Sequence, residues 1–255
     1  MAQLTSASPR AQRRLVVIDA TVPVAETAHS LDCHTFFVQQ PGSPARSLVD
    51  DTSGYYSVDF TGDIFADFVD KVLRPLHPTA VVSVSAGGSS AAAVAGELLG
   101  TPGASVAALA ALATVADCAH AAGAGARSTT AYTHTAGGAH RLVGLLPTPP
   151  VATGPPGQGD PAVSLCPEDQ QAAERAVRDV LDRSRITHGP VRMELWLTAD
   201  GIRVVRAEQR VDQDEAAVLH RLTGVDLVRQ TLDLSLAAGA GGHTAPTEAL
   251  DGSTR

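Results

Sequence analysis

The chain has 255 residues, enough to bury one large core or two modest ones, and 44% of them are hydrophobic but only 4% aromatic. Its formal net charge is -8 and its cations form no dense run, which excludes a surface built for nucleic acid or for an anionic membrane. Lys71 is the only lysine among 19 basic residues, so a compact ammonium is offered at one position alone.

No uninterrupted apolar stretch reaches the roughly 20 residues that cross a bilayer. The stretch from Met1 to Arg14 lacks the basic-then-apolar order of a signal peptide. Cys33, Cys118 and Cys166 are far apart and odd in number, so they read as small buried side chains in a reduced, cytoplasmic setting.

In chain order, Leu15–Ile18 is a short strand of branched apolar residues, followed by a helix over Val24–Leu31 and a second strand over Thr35–Val38. Tyr55-Tyr56 beside Gly54 reads as a loop pair, at a cleft or simply on the surface. Ile64, Phe65, Phe68, Val69, Val72 and Leu73 form one helical stripe between Asp63 and Leu73. Ala80–Val84 is a buried-type strand, and Ala91–Leu99 a helix after it. Strand and helix alternating with short joins predict a parallel α/β unit. The turn between that strand and helix, Ser85-Ala86-Gly87-Gly88-Ser89-Ser90, exposes backbone N–H groups that suit an anion. It is equally a glycine turn for tight helix–strand packing, and it matches neither a phosphate loop nor a dinucleotide fingerprint.

From Pro102 to Gly125 the residues are small, predicting short helices and a linker. Strands follow at about Thr129–Thr133 and His140–Leu146, then a Pro/Gly-rich loop to Pro161. Glu168–Arg183 is the strongest helix, with Ala172, Ala173, Ala176, Val177, Val180 and Leu181 on one side. Val191–Thr198 and Ile202–Arg210 alternate as two strands about Ala199-Asp200-Gly201, a hairpin signal. Helices at Glu215–Leu222 and Leu227–Leu236 come next, the second capped by Asp226, and Ala237–Arg255 has no periodicity.

The last third resembles the ATP-grasp fold. The resemblance lies in Ile186-Thr187-His188-Gly189-Pro190-Val191-Arg192-Met193-Glu194, then Arg206-Ala207-Glu208-Gln209-Arg210, then Thr223-Gly224-Val225-Asp226-Leu227. Val81–Gly100 followed by Thr101-Pro102-Gly103 is similar to the glycine-turn passage of that family's N-terminal domain. The resemblance implies an α/β fold (α+β overall): a Rossmann-like, parallel-sheet domain over 14–125 and a reduced ATP-grasp-like, antiparallel-sheet domain over 126–236. Flexible tails at 1–13 and 237–255 complete the expected organisation.

The resemblance also implies magnesium ligands: a glutamate on the first hairpin strand, then a glutamate and an asparagine on the second, followed by an arginine. Glu194 matches the first position, Arg206 stands at the second, Glu208 at the asparagine and Arg210 at the arginine. A guanidinium cannot ligate magnesium. Active relatives also insert a small lid domain with two lysines. Between the alanine-rich run and the Glu168 helix this chain has no lysine, and Arg127 and Arg141 are the only cations. No metal and no cofactor are therefore expected.

Alternation places Arg192, Glu194 and Trp196 on one face of the first strand, and Val204, Arg206, Glu208 and Arg210 on one face of the second. A three-residue turn sets Glu194 opposite Arg206 and Arg192 opposite Glu208. These are either two cross-strand ion pairs, each stabilising by about 0.2–1 kcal/mol, or an anion pocket. In the second case Arg192, Arg206 and Arg210, with Ser85, Gly87, Gly88 and Ser89, bind a carboxylate or amino-acid-like ligand, and His188, Glu194 and Glu208 are the candidate acid–base groups. His188 is otherwise a turn histidine. His134 and His140 have no companions at metal spacing.

Two functional classes follow. One is a degenerate ATP-grasp-like protein that does not use Mg-ATP and binds a small molecule, or assists an enzyme, in a biosynthetic pathway. The other is an enzyme repurposed for acid–base chemistry on a carboxylate, with an atypical ATP-dependent ligase as a third reading. A homodimer is expected, since a missing central domain leaves apolar faces to cover.

Overall fold

Branched apolar residues in β1 (Arg14–Ile18), β2 (His34–Gln39) and β4 (Ala80–Val82) leave almost no polar alternation, which suits strands covered on both faces. They pair in parallel with β3 (Gly54–Ser57) in the order β3-β2-β1-β4. The computed structural model describes residues 13–48, 54–114, 127–147, 165–198 and 201–241. Cys118, the Pro/Gly-rich stretch after Pro147, residues 199–200 of the hairpin turn and most of the expected tails lie outside the described residues.

One face of this sheet packs Val16, Ile18, Val38 and Val81 against Phe65, Val69 and Leu73 and against Ala91 and Ala95. The helical stripe expected at 63–73 forms as α2 (Ile64–Phe68), which widens into a π-helical turn over Val69–Leu73. Ile64, at the first position of α2, is 63% exposed and does not belong to the buried stripe. Tyr55 and Tyr56 are not a loop pair: they sit in edge strand β3, Tyr55 under the Arg46 guanidinium and Tyr56 edge-on to Phe68. On the other face lie α1 (Val22–His29) and, from the far end of the chain, α7 (Leu227–Gly241), while α6 (Gln213–Thr223) packs on the antiparallel sheet and adds Leu219 to the same core. Leu219, Leu227, Leu232 and Leu236 close the same core as Leu15, Val17 and Phe37.

The second sheet is antiparallel in the order β6-β5-β7-β8, built from β5 (Arg127–Ala136), β6 (Ala139–Pro147), β7 (His188–Thr198) and β8 (Gly201–Glu208). Its apolar face, with Val191, Met193, Leu195 and Ala207, packs on α5 (Pro167–Ser184) and α4 (Val106–Ala113) through Val177, Val180, Leu181, Ala108 and Leu112. α3 (Ser89–Leu99) and the loop after it bring Ala104 into that core.

β7 and β8 pair with Arg192 opposite Glu208 and Glu194 opposite Arg206, the register expected from alternation. A bulge between Glu194 and Leu195 then sets Val204 opposite Leu195. The extra residue, Val205, reverses the parity of the strand, so Val204 lies with the apolar core and not with Arg206 as alternation predicted.

Asp226 caps α7 through the Arg229 N–H, and the helix continues beyond Leu236 to Gly241. Gly239 is what lets it dock: a Cβ there would collide with the Thr79 carbonyl at the start of β4. No helix among the described residues is long and apolar enough to cross a membrane.

Candidate functional site

Glu208 ends β8 with its carboxylate held by two guanidinium groups. Arg206 Nη2 donates to Oε1 at 2.7 Å, and Arg210 Nε donates to Oε2 at 3.0 Å. Arg210 also lies 3.9 Å from Asp212. Glu194 does not pair with the arginine across from it; it accepts a hydrogen bond from Ser128 on β5 at 3.3 Å. Neither of the two cross-strand ion pairs expected from register therefore forms, because each side chain finds a better-aimed partner.

Arg192 turns away from the hairpin altogether. Its Nε and Nη2 donate to the two carboxylate oxygens of Glu215 at 2.7 and 2.8 Å. Tyr132, fully buried on β5, donates to the same carboxylate at 2.5 Å and accepts the Asp212 backbone N–H. Burial alone raises the Glu215 pKa, but hydrogen bonds from Arg192 and Tyr132 outweigh it and hold the carboxyl below its ordinary value. The phenol is pushed up by burial and by Glu215. Arg192 is raised by its bond to Glu215. Arg192 is thus a buried structural cation and does not join Arg206 and Arg210 in a ligand pocket.

At the carboxyl edge of the parallel sheet, Ser85 Oγ donates to Asp19 Oδ2 at 2.6 Å and accepts the Gly88 N–H at 2.9 Å. Gly87 and Gly88 are pressed against Asp19: a Cβ on Gly87 would lie 2.8 Å from Asp19 Oδ2, and one on Gly88 2.7 Å from Asp19 Cβ. Ser89 donates to the Ala86 carbonyl. The turn is therefore packed and internally bonded, with an Asp carboxylate where an anion would have to approach.

β8 and α6 are joined across this edge. Val211 N–H donates to the Val84 carbonyl at 2.8 Å, and the Gln213 amide donates to the Thr21 hydroxyl. The Ser85 turn and Arg210 are thus brought together, each one residue from the Val84–Val211 bond.

His188 begins β7, about 20 Å along the strand from Glu194 at a rise of about 3.3 Å per residue, but its carbonyl accepts the Gln209 side-chain amide at 2.9 Å and it lines a small cavity with Gln209 and Ser83, next to Arg210 and the Ser85 turn. There it accepts the Gly137 N–H at 3.4 Å, and burial lowers its pKa. His134, 5% exposed, has no partner for Nε2, and burial with the nearby His188 pushes its pKa down to about 4. A cavity of about 480 Å³ opens on the opposite, apolar side of β8, between α4 and α5, and no predicted site residue lines it. Among the described residues no group of three or more His, Cys, Asp or Glu is placed to hold a metal ion.

No family model matches the chain, and no curated protein does. Solved structures do. An L-amino acid ligase from Bacillus licheniformis superposes with a TM-score of 0.67 over 88% of this chain and 74% of its own, at 13% identity. A phosphoribosylglycinamide synthetase from Anaerococcus prevotii gives 0.66 over 88% and 75%, at 11% identity. A biotin carboxylase from Campylobacter jejuni, in complex with a βγ-ATP ligand, gives 0.62 over 87% and 70%, at 10% identity. The fold is ATP-grasp-like.

In this ATP-grasp-like frame the N-terminal sheet is the Rossmann-like half and the β6-β5-β7-β8 sheet the antiparallel half. Between the alanine-rich run and α5, where the resemblance implies a lid domain, the described residues form β5 and β6 of the antiparallel sheet. Tyr132, Asp19, Ser128 and Glu215 were missed from sequence. Only Glu215 carried a signal, the spacing Asp212-x-x-Glu215 of a capping box, and its backbone N–H does take Asp212 Oδ1.

Proposed function

We propose that this ATP-grasp-like protein binds a small carboxylate at Arg206 and Arg210 and works without Mg-ATP, as a small-molecule-binding or accessory protein in a biosynthetic pathway. The observation that carries the reading is the Glu208 carboxylate seated between the two guanidinium groups. A planar carboxylate already occupies that fork, and a ligand carboxylate matches the same geometry. The residues present do not fit magnesium: the two positions that would supply oxygen ligands on β8 carry an arginine and a glutamate committed to arginines. A fixed positive charge repels the ion, and an arginine offers it no lone pair. The acid–base reading loses support, because His188 stands far from Glu194 and faces Gly137 instead.

Calorimetry tests the proposal. Titration with Mg-ATP to millimolar concentration is expected to give no saturable heat, whereas short alkanoates bind saturably and an R206A/R210A variant does not bind them. Micromolar Mg-ATP binding, or alkanoate binding unchanged in that variant, overturns it.

A further inference from the structure

We infer that Asp19 is an ammonium-recognising residue of the same site, so that the ligand carries an amine as well as a carboxylate. The inference rests on the carboxylate reading of Arg206 and Arg210 and adds the other end of the ligand.

β1 and β4 are the neighbouring strands where the order β3-β2-β1-β4 reverses direction, and open α/β sheets receive ligands at the carboxyl ends of such strands. Asp19 is the first residue past β1 at that point. It is half-buried and adopts φ 56°, a left-handed conformation that costs a non-glycine residue energy. One carboxylate oxygen is fixed by Ser85, and Oδ1 takes no hydrogen bond among the described residues. Gly87 and Gly88 let the turn close down on the carboxylate and hold it in place. Its charge is negative, so the turn is set for a cation and not for the anion that its backbone alone would suggest.

Arg210 reaches the same edge because of two bonds. Val211 is tied to Val84, the residue before Ser85, and Gln213 is tied to Thr21 on the loop that Asp19 begins. The β8–α6 connection therefore crosses the β1/β4 junction and brings Arg210 to the edge where Asp19 lies. A cation and an anion at one sheet edge suit a ligand with an ammonium at one end and a carboxylate at the other. The remaining charged groups here, Glu208 and Asp212, are each within reach of Arg210, whereas Asp19 is bonded to a serine.

Binding of n-alkanoates and of their ω-amino counterparts, from β-alanine to 6-aminohexanoate, tests this on the wild-type chain and on D19N, an asparagine that tolerates the left-handed backbone. The wild type is expected to prefer the amino member at least tenfold at one or more chain lengths. D19N is expected to lose that preference and keep alkanoate affinity within about twofold. A preference that survives in D19N, or no preference in the wild type although alkanoates bind, overturns the inference and leaves the carboxylate reading standing. Failure of every alkanoate and amino acid to bind overturns both.

Discussion

Arg192 grips Glu215 with both ends of its guanidinium, at 2.7 and 2.8 Å, although the residue opposite it across the hairpin is Glu208. The pair ties β7 to the first turn of α6, which packs on β6, so one ion pair fastens this helix to the antiparallel sheet. Its side chains are only 10% and 7% exposed. Removing one partner strands a buried charge, and we predict that E215A loses about 3–5 kcal/mol in urea or guanidinium unfolding. An apolar pair, R192M/E215M, recovers most of that loss. A double variant no more stable than E215A contradicts this account.

Acid should act on the same pair in a definite window. The Glu215 carboxyl is held below its ordinary value in the folded state, so its contribution is complete above the unfolded carboxyl range. The contribution disappears as pH falls from about 4.3 through the folded value. Unfolding free energies of wild type and E215Q, measured from pH 6 to 3, should differ most at the upper end and converge toward the lower.

His134 works over a higher range. Burial leads the fall of its pKa to about 4, so below an unfolded value of about 6.5 the unfolded chain binds the proton and the folded one does not. Stability drops by about 1.4 kcal/mol per pH unit through this interval, or about 2 kcal/mol between pH 6.5 and pH 5. His188, lowered by burial as well, adds in the same direction. H134Q should flatten the slope between pH 6.5 and 4; an unchanged slope would show that His134 titrates freely.

Much of the fold was legible because periodicity is a local property. The α5 stripe and the facing of Arg192 with Glu208 follow from spacing alone, and both are present. What spacing cannot report is a residue's choice among partners. Arg192 has a carboxylate opposite it and another on α6, and only the packing of α6 against β5 decides for Glu215. The Val205 bulge has no glycine to announce it, so alternation carried Val204 to the wrong face. In the alanine-rich run, α4 offers no polar contrast from which a boundary could be read. Asp19 gives no signal in sequence because its neighbour Ser85 is distant in the chain and meets it only once β1 and β4 pair.

The clasp on Glu208 can be opened without disturbing the core, since Arg206 is 56% exposed at its side chain and the carboxylate 27%. E208Q removes the internal competitor for the two guanidinium groups while keeping its shape. If a ligand carboxylate takes the same fork, alkanoate affinity rises by about tenfold, the equivalent of one charge-assisted hydrogen bond of about 1.4 kcal/mol. Stability falls by no more than about 1 kcal/mol, because the pairs are near the surface. The rise should vanish in E208Q/R210A. Calorimetry at low salt reads both effects, and an E208Q variant that binds alkanoates no better than wild type would mean that the fork is closed to ligands and serves only to finish β8.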